Sequence, residues 1–346
     1  MKRVSGFSWL AACALAIAAP VAADQAFRLF SESEEASSVS GGADERFELG
    51  LSFPALAGSA LPIVTPPPPL PPKKQKTRMI LVSAGVLAGS AVSTLTGGWE
   101  HGFQRLHFTQ EHWFGRTTYA GGADKVSHLV FYDGLSRELA VAYRRMGYSE
   151  NESYALAFGV SVAGGLIVEI GDGLTVFGFS YEDFLTDIVG AGAAVLISKN
   201  GLDDLIGFRF GPITSPVPRV HAVDNVGKDY SKEIYTADLK LAGAAQRLHW
   251  RIGPAQFLYL SATYGSKGYK FSAPEFRQRD IGVEIGLNVA EVLTAVGVRD
   301  TTWWGRPLMI LANFIRLPYT SIGYRYDLNH SRWHGPDNGE KYVTGP

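Results

Sequence analysis

The sequence has almost no cysteine and almost no net charge. Its 346 residues include one cysteine, Cys13, which excludes a disulfide framework and a metal cluster held by cysteines. Lys and Arg number 32 and Asp and Glu 33, and the resulting net charge of −1 excludes a polycationic nucleic-acid-binding protein. The sequence also lacks Gly-x-Ser-x-Gly, Walker A, His-Glu-x-x-His and Rossmann glycine motifs, so no strong enzyme signature is present.

The N-terminus has the features of a secretory signal peptide. A basic start, Met1-Lys2-Arg3, precedes an apolar stretch over Val4–Ala19, and small residues end at Ala23, where we expect cleavage. The alternative is a lipoprotein signal, in which Leu10-Ala11-Ala12 precedes a lipidated Cys13. Both predict a cell-envelope location after export, either periplasmic or associated with the outer membrane. An inner-membrane location is the second choice.

The remaining chain divides by composition. Residues 24–78 are rich in proline, serine and acidic residues and predict a disordered linker. Residues 79–206 predict a helical bundle domain, 207–330 an antiparallel β region, and 331–346 a polar tail. The predicted fold class is α+β: a membrane-associated bundle of four to five helices, then an antiparallel β-meander or partly open barrel.

Two features of the predicted helices bear on packing and on membranes. Met79–Trp99 is 21 residues without a charge, about 31 Å as a helix, which is enough to cross a bilayer. A buried or membrane-facing helix fits the same residues. Small residues four apart, Gly85 with Gly89 and Gly190 with Ala194, predict close approach of a neighbouring helix.

The β region is predicted from alternating apolar and polar residues in four segments: Glu233–Trp250, Gln256–Tyr264, Asp280–Val289 and Tyr319–Leu328. Two arrangements are compatible with this alternation. One is a sheet that packs one face against the helices. The other is a partly open outer-membrane-type sheet, since Tyr, Trp and Phe at strand ends suit a membrane interface.

Three polar pairs lie within the apolar helices. Asp124 and His128 are four residues apart, as are Asp183 and Asp187, so each pair shares one helix face, while Glu169 lies three residues before Asp172. Simpler roles exist: Asp124 and Asp183 lie where helix caps are expected, and Glu169 and Asp172 could end their helix in water. Taken together, the pairs predict a shared pocket.

Such a pocket needs compensation, because a buried ionised carboxylate requires a partner, a proton or a cation. Mixed imidazole and carboxylate ligands suit a divalent metal such as Zn or Mn. The candidate metal ligands are His128, Glu169, Asp172, Asp183 and Asp187. The candidate catalytic residues are Asp124, His128, Glu169 and Asp172, with His128 and Asp124 as a base.

These segments resemble a known family. The matching runs are Gly121-Gly122-Ala123-Asp124-Lys125-Val126-Ser127-His128, Glu169-Ile170-Gly171-Asp172-Gly173, Gly178-Phe179-Ser180-Tyr181-Glu182-Asp183 and Glu111-His112-Trp113-Phe114. They resemble domain-of-unknown-function family 2279, predicted periplasmic lipoproteins, and the likeness extends over roughly residues 100–330. Its Asp-Lys-x-x-His element is also similar to VanZ-like membrane proteins. The resemblance implies a bacterial envelope location and no established activity. Asp187 departs from the family pattern, which tends to have Asn there.

Three functions remain open on the sequence, and whether the chain is an enzyme is not decided. The first is a structural or interaction role in the envelope, with a buried Asp/His/Glu cluster. The second is a metal- or acid/base-dependent enzyme acting on a lipid-linked or cell-wall substrate. The third is an outer-membrane β-barrel-like protein. The expected partners are membrane lipids or envelope components, and no nucleic acid is expected.

Overall fold

The structure is a computed structural model that describes residues 71–212, 230, 233–269, 274–302 and 304–337. The predicted signal peptide, Cys13 and the predicted linker up to residue 70 lie outside these ranges. Within them the chain forms seven α-helices and one large antiparallel sheet, in agreement with a mixed helical and β fold.

Four long helices come first: α1 (Pro72–His101), α2 (Ala123–Arg145), α3 (Glu150–Gly173) and α4 (Tyr181–Lys199). α3 packs against α1, α2 and α4, and α2 packs closely against α4. Their shared apolar core is centred on fully buried side chains of α2, namely Tyr132, Leu135, Leu139 and Tyr143. The segments Pro72–Leu95 and Glu150–Gly173 are long and apolar enough to cross a membrane, a criterion that core helices also meet.

The start of α1 corrects the predicted linker boundary at residue 78. The helix begins at Pro72, because proline is favoured in the first turn of a helix, where its missing N–H would have no partner. Lys73, Lys74 and Lys76 are therefore helical, and all three are exposed.

The other helix starts follow local sequence rules. The sequence Ser149-Glu150-Asn151-Glu152 has the pattern of a capping box, and Ser149 and Glu152 form that box at the start of α3. Ser180 caps α4 by accepting a hydrogen bond from the backbone N–H of Asp183 at 3.2 Å. Asp183 does not form the reciprocal hydrogen bond of a capping box with Ser180, because its carboxylate lies beside a lysine of α2.

The sheet is an antiparallel meander, as predicted. Its strands lie in chain order: β3 (Ile206–Pro212), β4 (Glu233–Lys240), β5 (Leu258–Lys267), β6 (Gln278–Leu287), β7 (Ser321–Asp327) and β8 (Arg332–Asp337). Among the described residues β3 and β8 do not pair, so the sheet is not closed into a barrel. β8 falls in the predicted polar tail and corrects that boundary, since its backbone pairs with β7 despite its polar composition.

Three short helices complete the fold. They are α5 (Leu241–Arg247), α6 (Val289–Ala295) and α7 (Gly305–Phe314). α5 occupies the second half of the predicted strand Glu233–Trp250, so the alternation holds only as far as Lys240.

A two-stranded parallel ladder fixes the loop before α2. β1 (Phe108–Thr109) pairs with β2 (Phe179–Ser180), which directly precedes α4. The pairing holds the segment after Thr109 beside the N-terminus of α4, and this is where the acidic residues collect.

Glycine sets the distance between α2 and α4. A Cβ on Gly190 would overlap the backbone carbonyl of Leu129, so only glycine allows this close crossing, as predicted. The predicted close approach at Gly85 and Gly89 is not made by the part of the chain that the structure describes, where no atom of another element lies within 4 Å of a Cβ placed at either position. Small residues permit close packing but do not choose the partner helix.

We therefore expect Gly190→Ala to destabilise the protein by about 1–3 kcal/mol, because the added methyl group forces α2 and α4 apart. Gly192→Ala in the same helix is the control: its Cβ would meet only a ring carbon of Phe158 at 3.9 Å. That change should be neutral or raise the free energy of unfolding by about 0.5–1 kcal/mol. Urea denaturation of both variants tests the crossing, and equal effects would contradict it.

Candidate functional site

The ends of α2, α3 and α4 bring together nine ionisable side chains, which we call the polar cluster. Its members are Glu111, Asp124, Lys125, His128, Glu169, Asp172, Glu182, Asp183 and Asp187. Most are buried, and only Glu111 and Asp172 are partly exposed. The six residues predicted from the sequence are all among them, whereas their chemical roles remain predictions.

Lys125 joins the acidic groups of α2, α4 and the loop before α2. Its ammonium lies 2.7 Å from Asp124 Oδ2 and 2.7 Å from Asp183 Oδ1, and it also donates to Glu111 Oε2. Although burial by itself lowers the pKa of a lysine, the charges of Asp124, Asp183 and Glu111 raise the pKa of Lys125 above its ordinary value. Lys125 is therefore a permanent cation that connects three chain segments.

Glu182 holds the loop that carries Glu111. Its carboxylate accepts hydrogen bonds from the backbone N–H groups of His112 and Trp113, both at 3.1 Å. These two residues adopt the left-handed backbone conformation, with φ of 61° and 52°. Such a conformation is costly for residues other than glycine, so the two hydrogen bonds compensate a strained turn. This loop conformation places Glu111 beside Lys125.

A second part of the cluster lies around His128. Its Nδ1 is 2.7 Å from Asp187 Oδ1, which joins α2 to α4. Asp187 also faces α3, where a Cβ on Gly165 would overlap its Oδ2. Oδ2 is buried and has no hydrogen-bond partner among the described residues. Burial by itself lowers the pKa of His128, but the charges of Asp187 and Asp183 raise it well above its ordinary value.

The two acids of α3 lie where ionisation is least favourable. Glu169 and Asp172 lie in the last turns of α3, where the helix dipole opposes negative charge. Burial, with neighbouring acids, raises the pKa of Glu169 to about 9 and that of Asp172 to about 6. Glu169 nevertheless accepts a hydrogen bond from the backbone N–H of Ser180 at 3.0 Å. The protonated form of Glu169 is therefore favoured near neutral pH.

The acids at the N-termini of α2 and α4 lie where the helix dipole favours ionisation. Asp124 lies in the first turn of α2, and Glu182 and Asp183 lie in the first turn of α4, where the dipole favours negative charge. Burial opposes ionisation of Asp124, but a hydrogen bond with Glu111 and the charge of Lys125 lower its pKa. Burial and the same hydrogen bond raise the pKa of Glu111 to about 8. The pair therefore shares a proton, with Glu111 as donor.

The cluster contains seven carboxyl groups and two bases, so a cation or protons must balance the excess. One ligand atom from each of His128, Glu169 and Asp183 lies within 4.8 Å of the others, and the same holds for Glu111, Asp124 and Asp183. The first set combines imidazole with two carboxylates, a donor set that suits Zn or Mn. Asp187 would orient the histidine, as outer carboxylates commonly do at metal sites.

Three members of the cluster were not among the sequence candidates: Glu111, Lys125 and Glu182. A lysine beside an acid at a helix end, such as Lys125 beside Asp124, is more simply interpreted as a local ion pair. Glu111 lies in the loop before α2, and Glu182 lies in the first turn of α4, where an acid commonly stabilises a helix start. The sequence does contain one indication of their importance, because all three residues lie in the runs that resemble the family.

A separate cavity of about 290 Å³ lies between α2, α7 and the β3–β4 edge. Its lining includes Asp133, Arg137, Glu138 and Arg306, and it contains no member of the polar cluster. Arg137 pairs with Asp133 at 2.8 Å and Arg306 pairs with Glu138, so these charges already neutralise one another. The cavity therefore gives no entry to the cluster.

The comparisons with known proteins agree with the resemblance. Residues 110–199 match the sequence profile of the family described as "Predicted periplasmic lipoprotein (DUF2279)". No curated protein and no solved structure matches the chain. The additional likeness to VanZ-like membrane proteins is not borne out. The family description agrees with the predicted periplasmic, cell-envelope location. Residues 110–199 are therefore similar to the domain of this uncharacterised predicted periplasmic lipoprotein family, and the whole polar cluster lies within them.

Proposed function

We propose that this chain has a structural or interaction role in the bacterial cell envelope, in which the polar cluster fixes the packing of α2, α3 and α4. The observation that carries the proposal is the bridging geometry. Lys125 contacts acids from two helices and one loop, and the His128–Asp187 hydrogen bond joins α2 to α4 across Gly165 of α3. Each contact has directional requirements that apolar packing alone lacks, so the cluster selects one register.

Burial favours this role over catalysis. Lys125, Glu169 and Asp187 are at most 1% exposed, and His128 is 8% exposed. A reacting group must meet its substrate, whereas a structural cluster works best when water is excluded. Sites of this closed kind are typical of structural rather than catalytic ions.

The second candidate is a metal- or acid/base-dependent enzyme acting on a lipid-linked or cell-wall substrate. It is favoured by one observation: His128, Glu169 and Asp183 converge, and Asp187 holds the imidazole in one orientation. A bound divalent metal would supply a Lewis acid there. Glu111, whose side chain is 17% exposed, and Asp172 are the partly exposed members of the cluster, so a substrate would have to enter beside one of them.

We expect His128→Ala to lower the free energy of unfolding by about 3 kcal/mol, because Asp187 then keeps a buried charge without its partner. His112→Asn is the control. The side chain of His112 is exposed, and asparagine tolerates its left-handed backbone. That control should change stability by at most about 0.5 kcal/mol. Unchanged melting of His128→Ala together with loss of a cellular phenotype would contradict the structural role.

Stability should also fall as pH rises. A carboxyl group whose pKa is about 9 when folded and 4.5 when unfolded stabilises the folded state below pH 4.5, and this contribution is lost progressively up to pH 9. The raised pKa values of Glu111, Asp172, Asp187 and His128 act in the same direction. Between pH 5 and pH 8 we expect the wild type to lose about 1–3 kcal/mol more than Glu169→Gln.

Urea denaturation across this pH range, with chelator present, measures the difference. Glu150→Gln, a change at an exposed acid of the same helix, should keep the wild-type pH dependence. If Glu169→Gln and the wild type lose stability in parallel, Glu169 does not carry a raised pKa.

The enzyme alternative makes a separate prediction. Zn²⁺ or Mn²⁺ should raise the melting temperature of the wild type, with a stabilisation of about 2.7 kcal/mol when the metal is at a hundred times its dissociation constant. Glu169→Gln should lose most of this effect and Glu150→Gln should retain it. Absence of bound metal by elemental analysis of protein purified from the envelope, with no thermal shift, would eliminate the metal-dependent form.

A further inference from the structure

We propose that the exposed apolar face of the sheet docks against the acyl chains of a lipid membrane. This face, which we call the outer face, comprises Leu260, Ile281, Val283, Ile285, Ile322 and Tyr324 on β5, β6 and β7. Each of these side chains is between 45% and 58% exposed. The inference concerns a surface remote from the polar cluster and goes beyond the proposed function.

The two faces of the sheet have the reverse of the usual polarity. On the opposite face, Arg209 forms two hydrogen bonds with Asp238, at 2.5 and 3.0 Å, and both residues are 3% exposed. Glu284 is likewise buried between Arg316 at 2.9 Å and Arg325 at 3.4 Å. A sheet in water normally buries its apolar face and exposes its polar face. Apolar-out and polar-in alternation is the pattern of sheets that face lipid.

The outer face is continuous across strands. Leu260 lies opposite Ile285, and Ile285 lies opposite Ile322. Val283 lies opposite Tyr324 in the next row. With strands about 4.8 Å apart, these rows form one patch rather than separate exposed residues.

The residues that the structure describes cover only one end of this face. α2 packs over the β3–β4 end, where Phe210 and Tyr235 join Ala123 and Val130 in a buried apolar cluster. From β5 to β7 no described helix buries the outer face, since its six residues stay about half exposed.

The composition of the outer face favours lipid over a protein partner. Its six residues include no charged or amide side chain, whereas protein interfaces usually contain many polar groups and hydrogen bonds. At the β7–β8 edge, Tyr326 packs against Trp333 with ring centroids 5.2 Å apart, and Trp333 is 67% exposed. Aromatic residues of this kind are enriched where a protein meets the lipid headgroups.

α1 adds a charge that complements membranes. Few residues of its apolar segment, Pro72–Leu95, are buried, and Leu81 and Val92 are more than half exposed. Lys73, Lys74 and Lys76 are exposed at its start. Clustered lysines beside an apolar helix attract anionic lipid headgroups. The periplasmic location given by the family description places the protein where membrane surfaces are present.

Flotation of the purified protein with vesicles of phosphatidylethanolamine and phosphatidylglycerol tests the proposal. The wild type should float with the vesicles, and Val283→Lys combined with Ile285→Lys should reduce bound protein at least tenfold. The control combines Asn200→Lys with Gln246→Lys, which adds the same charge at two exposed polar positions and should float like the wild type. Equal flotation of the outer-face variant, or none by the wild type, would overturn the proposal.

A second measurement avoids charged substitutions, which matters if the double variant does not fold. In a Cys13→Ser chain, a single cysteine replaces either Val283 or Lys199, an exposed residue at the end of α4, and carries a polarity-sensitive fluorophore. Vesicles should shift the emission to the blue at position 283 and leave position 199 unchanged. A shift at neither position would contradict lipid contact. So would a shift at position 283 caused by protein concentration alone, which would assign the face to a second copy of the chain.

Discussion

The ion contacts of Lys125 are the interaction on which the helical part of this protein depends. One ammonium group contacts acids from α2, from α4 and from the loop before α2. Three structural features bring these acids to Lys125. The β1–β2 ladder holds the loop beside α4, Glu182 stabilises the strained turn at His112 and Trp113, and Gly190 lets α2 and α4 cross closely. Without a buried cation, the same carboxylates would repel one another, and the helix ends would separate.

Helix direction decides which acids remain charged. Asp124 lies at the N-terminus of α2 next to Lys125, where both the dipole and the ammonium favour the ionised form. Glu169 lies near the C-terminus of α3, where the dipole and burial both oppose it. The cluster therefore has a fixed half around Lys125 and a titratable half around His128 and Glu169. A structural role uses the first half, and any metal or proton chemistry would use the second.

Local rules explain what the sequence predicts correctly. The capping box at Ser149 and the spacing of four between Asp124 and His128 depend on near neighbours in the chain, and the structure contains both features. Tertiary contacts explain the misses. Lys125 and Glu182 acquire their partners only when α2, α4 and the loop meet, and β8 forms because β7 offers an unpaired edge. Gly85 and Gly89 are the opposite case. Small residues there would allow a close helix contact, but the described part of the chain does not make one.

Both halves of the protein bury ionic groups and leave apolar side chains at the surface. In the helical half the polar cluster is internal, while Leu81 and Val92 of α1 are exposed. In the sheet, Arg209, Asp238 and Glu284 are internal, while Val283 and Ile285 are exposed. Burying ion pairs stabilises a fold in water only weakly, because desolvation offsets most of the attraction. The folded state is more stable when its surroundings are also apolar, because the exposed apolar side chains then no longer contact water. Under the proposal made above, a lipid surface accounts for this arrangement in the sheet, and the exposed apolar side chains of α1 are compatible with the same surface.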